Sequence, residues 1–197
     1  ACQFNKQHRQ PFPKERNVRK GILDVIHLDV WGPAQMTTFG GCRYYVAFID
    51  NFSRHTWIYR MRQKSEVFIH FQKFKNEVEK ATSRHVRCLQ SNSSKEYFFD
   101  AFTTYLWQQG IRREFTCRHT PQQNGVAERK NWHILEVARP IMNEKNLPNL
   151  YLAKAANTFV YLMNWCTTSV LRDVTPHEKF CGKKPNLSYV KLFGLIT

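Results

Sequence analysis

Past Gly21 the apolar residues of this chain gather first in short β-rich runs, and helical spacing begins only later. Ile22 to Val30 is apolar and rich in β-branched residues and is stopped by Trp31-Gly32-Pro33, which predicts a strand. Arg43 to Ile49 and His55 to Met61 are two more such runs. Asp50-Asn51-Phe52-Ser53 between them has turn chemistry, so a hairpin is expected. Val67, Phe71, Phe74 and Val78 recur at spacings of four, three and four and share one face, which predicts a helix capped by Ser65 and reaching about Ala81. A short strand over Val86–Leu89, a helix over Phe99–Gln109 closed by Gly110, and a strand over Ile111–Thr116 follow. Gln122 to about Arg139 and Tyr151 to Trp165 read as two further helices. The order β-β-β-α-β-α-β-α-α predicts a mixed α/β fold with a partly antiparallel sheet.

Residues 1–20 fit neither period. Lys6, Arg9, Lys14, Arg16, Arg19 and Lys20 stand between Phe4, Phe12 and two prolines, the pattern of an extended basic arm. With 197 residues, 42% of them hydrophobic, the chain can bury one core but not two large ones. We therefore divide it into the arm (1–20), a core (21–167) and a C-terminal extension (168–197), in which Leu192 to Thr197 resembles the start of another strand. The lack of an initiator Met and the abrupt close are those expected of a piece of a longer polyprotein.

Charge narrows the partner. The net charge is +15 and 14% of residues are aromatic, so this is a basic chain that folds, not a disordered basic tail. Nucleic acid is the expected polyanion, because neutralised phosphates release counterions. Membrane binding would need a basic amphipathic helix or a lipidation signal, and neither is found. A merely solvated basic surface is the competing reading. The six cysteines show no C-x-x-C pairing, which is intracellular usage.

Two features carry candidate chemistry. Asp29 is an acid in an apolar strand, either on the solvent face or at a site. Thr120-Pro121-Gln122-Gln123-Asn124-Gly125-Val126-Ala127-Glu128-Arg129 is a polar, Gly-containing loop that runs into a helix with an acid in its early turns. These stretches are also recognisable. His27-Leu28-Asp29-Val30-Trp31-Gly32-Pro33, Tyr45 through Arg54 and Thr120 through Arg129 closely resemble the integrase catalytic cores of copia-type retrotransposons. So do Gly110 through Phe115, Asn146-Leu147-Pro148 and Gly182-Lys183-Lys184-Pro185, in the family's order, over nearly the whole chain.

The resemblance implies an RNase H-like fold, a five-stranded mixed sheet flanked by helices with extra C-terminal helices. It also implies a polynucleotidyl transferase in which three carboxylates hold two Mg²⁺ or Mn²⁺ ions roughly 3.5–4 Å apart. The family's first and third acids map onto Asp29 and Glu128. Its second falls on Asn92, because Ser91-Asn92-Ser93-Ser94-Lys95-Glu96-Tyr97 stands where the family has Ser-Asp-Asn-Gly-Gly-Glu-Tyr. An amide supplies no charge, so weak metal binding and impaired catalysis are expected. Trp132, where relatives commonly carry Arg, implies a lost phosphate contact, and Pro140 predicts that its helix kinks or ends early. Lys6, Arg9, Lys14, Arg118, Gln122, Asn124, Arg129 and Lys130 are the candidate nucleic-acid contacts. Cys2 resembles the last ligand of a truncated zinc module, so no zinc is expected here. His8, His55, His70, His85 and His133 have no ligand-spaced partners and read as surface or satisfied histidines. The implied partners are DNA and further copies of the chain, and the implied location is intracellular, nuclear at the step of action. A non-catalytic nucleic-acid-binding module on the same scaffold is the alternative, and an RNase H nuclease a weaker third.

Overall fold

The computed structural model describes residues 21–38, 40–92, 100–116, 121–144, 146–186 and 188. Five strands, β1 (Ile26–Trp31), β2 (Tyr44–Asp50), β3 (Thr56–Met61), β4 (Cys88–Asn92) and β5 (Arg112–Thr116), form one sheet in the order β3-β2-β1-β4-β5. The hairpins make β1–β2 and β2–β3 antiparallel, with Asp29 opposite Ala47 and Phe48 opposite Trp57. β4 and β5 run parallel to their neighbours, with Leu28 opposite Ser91 and Asn92 opposite Thr116. The two parallel joins need crossovers, and the helices α1 (Val67–Thr82) and α2 (Asp100–Gln108) lie in them. The expected five-stranded mixed sheet is thus present.

Strand periodicity sorts the core onto two faces. Ile26, Leu28, Val46 and Phe48 join Val67, Phe71, Phe74, Val78, Phe102 and Leu106 of α1 and α2 in the main cluster. Phe48 is its centre: it is fully buried and stacks on Phe74 with ring centroids 4.6 Å apart. On the opposite face lie α3 (Pro121–Glu144) and α4 (Leu152–Trp165), where Ile134, Ala156, Val160 and Met163 pack with Ile58 of β3. Asn164 of α4 ties itself to β3, accepting from the Thr56 backbone N–H at 2.9 Å and donating to the Thr56 carbonyl at 2.7 Å.

Three local expectations need correction. Ser65 does not cap α1: a 3-10 turn over Lys64–Glu66 precedes the helix, and Glu66 Oε1 accepts from the N–H of Gln63 at 2.8 Å. A carboxylate three residues on satisfies the orphan N–H better than the Ser hydroxyl does. Pro140 does not end α3, which runs on to Glu144. On either side of the proline, Ala138 and Met142 bury themselves against Ala155 with Leu147, Tyr151 and Leu152 around them, and that burial offsets the lost backbone hydrogen bond. A short helix, α5 (Pro176–Cys181), was not expected although its signals are present. The Thr175 hydroxyl accepts from the Glu178 N–H, Pro176 opens the helix, and Gly182 closes it in the left-handed region at φ 72°. Phe180 of α5 packs into the main cluster, 4.9 Å from the Trp57 ring. Leu192 to Thr197 lie outside the described residues.

Two substitutions check this account. Phe48→Ala should destabilise the fold by about 3–5 kcal/mol in urea unfolding, since it empties the middle of the largest cluster. Pro140→Ala should stabilise it by about 1–3 kcal/mol, because the regained N–H can bond the Glu136 carbonyl; an unchanged or lowered melting temperature would mean that the helix is already relaxed around the proline.

Candidate active site

Asp29 sits near the carboxyl end of the central strand, on the face covered by α3. Leu28 pairs with Ser91, so the next residues, Asp29 and Asn92, occupy adjacent register positions at the carboxyl ends of two parallel strands. Ligands in open α/β sheets bind at such ends. The third position comes from α3, whose inner stripe is Ala127, Asn131, Ile134, Leu135, Ala138 and Met142, all buried. Apolar side chains fix the rotation of this helix, and Asn131 is the polar member of the stripe. Its Nδ2 donates to Asp29 Oδ2 at 2.7 Å across 102 residues of sequence.

The acids feel one another. Asp29 is 8% exposed, and burial pushes its carboxyl up from 3.8 to about 6. The hydrogen bonds from Asn131 and the Val30 backbone oppose that shift, and the negative charge of Glu128 adds to it. Glu128 lies on the exposed side of α3, one turn before Asn131. Tyr45 and Trp31 close one flank with stacked rings 5.3 Å apart, and the fully buried Tyr45 phenol is pushed up first by burial and then by the Asp29 charge, so it keeps its proton. The backbone therefore brings the positions of Asp29 and Asn92 together, and the Glu128 charge is felt at Asp29.

Asn131 was missed in the sequence. Its signal was there: a lone amide inside an otherwise apolar helical stripe, three residues after the candidate acid.

The remaining candidates distribute unevenly. Arg129 is exposed and its guanidinium folds over Gly125, where an added Cβ would lie 2.6 Å from Nη1. Lys130 is half-buried, and burial, then the Arg54 charge, lowers its ammonium to about 8. Gln122 and Asn124 stand in the first turn of α3; their side chains lie outside the described residues, as does that of Asn92, and as do Cys2, Lys6, Arg9, Lys14 and Arg118 altogether. His55 is held among Trp57, Phe180 and His177, and burial lowers its imidazole to about 3, so it is neutral. His70 stacks on Tyr59, His85 lies 3.3 Å from Glu79, and His133 packs on Phe159. Among the described residues no three His, Cys, Asp or Glu side chains gather in a metal-binding group, and no helix is long and apolar enough to cross a membrane.

Comparison places this architecture. No family model matches the chain. Its fold resembles the simian T-cell lymphotropic virus intasome, solved in complex with the PP2A regulatory subunit B56 gamma, at TM-score 0.67 and 16% identity over 98% of this chain and 71% of that one. It also resembles the HTLV-2 integrase catalytic core domain, solved with magnesium in a dimeric form, at TM-score 0.59 and 14% identity over 81% of this chain and 97% of that one. The chain thus shares the RNase H-like fold of these integrase structures. In sequence the chain is 38% identical over 193 residues to the retrovirus-related Pol polyprotein of the transposon TNT 1-94 of Nicotiana tabacum, and 35% identical over 193 residues to that of the transposon RE2 of Arabidopsis thaliana. The chain belongs to this family of retrovirus-related Pol polyproteins of plant transposons. These matches cover 98% of it but only 14% and 13% of the two polyproteins.

The raised Asp29 pKa has a measurable sign. The folded state holds the proton more tightly than the unfolded chain, so the stabilising contribution is full below about pH 4 and is lost as pH rises through about 6. Asp29→Asn, which never ionises, should therefore match wild type near pH 4 and exceed it at pH 7 by on the order of 3 kcal/mol in chelator-containing thermal unfolding. Equal stability of the two proteins at both pH values would remove the buried-carboxylate account. The wild-type-minus-variant difference cancels the opposite trend from His55, whose lowered value makes stability fall with acid.

Proposed function

We propose that this chain is the DNA-binding catalytic core of a transposon integrase, built for trimming the 3′ ends of the element and joining them to target DNA, and impaired at the joining chemistry. What supports this reading is the adjacent register of positions 29 and 92 at the carboxyl ends of the central strands, with the Glu128 charge acting on Asp29 and an amide at the position where the resemblance implies an acid.

The donor set fits a hard divalent cation in kind but not in charge. Asp29 is a buried carboxyl whose ionisation is opposed by burial and by Glu128, and a cation between the two acids would reverse both effects. Asp29 and Glu128, with Asn92 as a weak third, would hold Mg²⁺ or Mn²⁺. When bound, the ions supply activation of the attacking oxygen and stabilisation of the leaving one. The rest falls to the protein: Asn131 holds the Asp29 carboxylate, and Tyr45 and Trp31 keep water from its flank. Two formal negative charges instead of three against a metal pair lower occupancy and rate together.

DNA binding rests on the excess of 30 Lys and Arg over 15 Asp and Glu. Arg129 and Lys130 beside the acids, Gln122 and Asn124 in the first turn of α3, and Lys6, Arg9, Lys14 and Arg118 form its contact set. Assembly of several copies on DNA, acting in the nucleus, accompanies this reading. Asn92 itself favours a second reading, a module that binds DNA and no longer joins it, and the two differ in metal dependence.

A strand-transfer and binding series separates them. Wild type should bind duplex DNA with an affinity that falls steeply with salt and ignores chelator, and should join ends slowly or not at all. Asn92→Asp should tighten Mg²⁺ binding in calorimetry and restore partial, chelator-sensitive joining. Changing Ser94 and Lys95 to Gly as well should raise it further, because glycine backbones permit conformations and close approach that side chains block. Wild type joining as fast as the repaired variants would mean that another group supplies the third ligand, and an affinity indifferent to salt would remove DNA as the partner.

A further inference from the structure

We infer that Trp132 is a stacking platform for an unpaired nucleobase at a DNA end bound beside Asp29 and Glu128; this rests on the reading of the site given above. Trp132 is 64% exposed. Three of the other tryptophans lie against rings: Trp31 on Tyr45, Trp57 between Phe74 and Phe180, and Trp165 on Tyr161. Among the described residues, no ring packs against Trp132. An indole left in water contributes little to the fold, so its use is sought outside the chain.

Its place gives the use. Trp132 follows Glu128 by four residues, one helical turn on the same exposed face of α3. The rotation of that face is not free. Asn131, the residue before Trp132, is 5% exposed and bound to Asp29, so the outward direction of the indole is set by the same contact that sets the carboxylate. Arg129, exposed on the same stretch of helix, supplies a cation for the adjoining phosphate. A flat aromatic face beside a cation and next to a pair of acids matches a nucleotide whose base is out of the duplex. Paired bases inside a helix already stack on their neighbours, and only a frayed or overhanging end offers a free face. The chain thus exchanges the point contact of an Arg for a stacking surface.

Trp107 provides the control. It is 81% exposed, at the carboxyl end of α2, where the chain turns into the start of β5 and so at the opposite end of the sheet from Asp29.

The test uses fluorescence anisotropy of the whole chain, at one salt concentration with chelator present, on a blunt labelled duplex and on one carrying two unpaired nucleotides. Trp132→Leu should lose about tenfold in affinity for the overhang duplex and nothing for the blunt one, in line with stacking energies per base. Trp132→Phe should keep most of the overhang preference, and Trp107→Leu should keep all of it. The emission difference between wild type and Trp132→Phe should be quenched by the unlabelled overhang duplex. Equal affinity of wild type and Trp132→Leu for the overhang duplex overturns the inference. So does an equal loss on both duplexes, or the same loss in Trp107→Leu. Wild type binding neither duplex removes the proposed function, and the inference with it.

Discussion

One hydrogen bond, from Asn131 to Asp29 at 2.7 Å, joins the central strand to the helix that crosses its carboxyl end. Both side chains are buried, so neither partner can turn freely to water if the bond is lost. The contact therefore sets the rotation of α3 more sharply than its apolar stripe alone can. Ala127, Ile134 and Ala138 tolerate a small slide against β1 and β2, whereas a charge-assisted bond of this length does not. Everything on the outer side of α3 inherits that rotation, including Glu128 one turn earlier and Trp132 immediately after.

The same bond exposes the tension in the site. Burial makes the Asp29 carboxylate costly, hydrogen bonds from Asn131 and the Val30 backbone compensate part of that cost, and Glu128 adds repulsion. Positive charge arriving beside Asp29 would relieve both penalties.

Much of the scaffold was legible in the sequence. The strand runs around Asp50-Asn51-Phe52-Ser53 specified the hairpin, and the Val67-Phe71-Phe74-Val78 spacing specified α1 and its inner face. The misreadings share a cause. Ser65 lost the cap to Glu66, α3 continued past Pro140, and α5 formed at Thr175, each because a neighbouring group or a buried contact outweighed a local preference of comparable size.

By itself, then, the sequence determined the order of elements, the basic character and the identity of the acids and of the amide at position 92, since periodicity, charge and residue type are local properties. Tertiary structure alone decided that Asp29 is buried and raised to about 6, that Asn131 is its partner, that Lys130 is half-buried within reach of the Arg54 charge, and that Trp132 is left facing water beside Glu128. These depend on which surfaces meet across 102 residues of chain, and on how much solvent each meeting removes, and neither quantity exists until α3 has packed on the sheet.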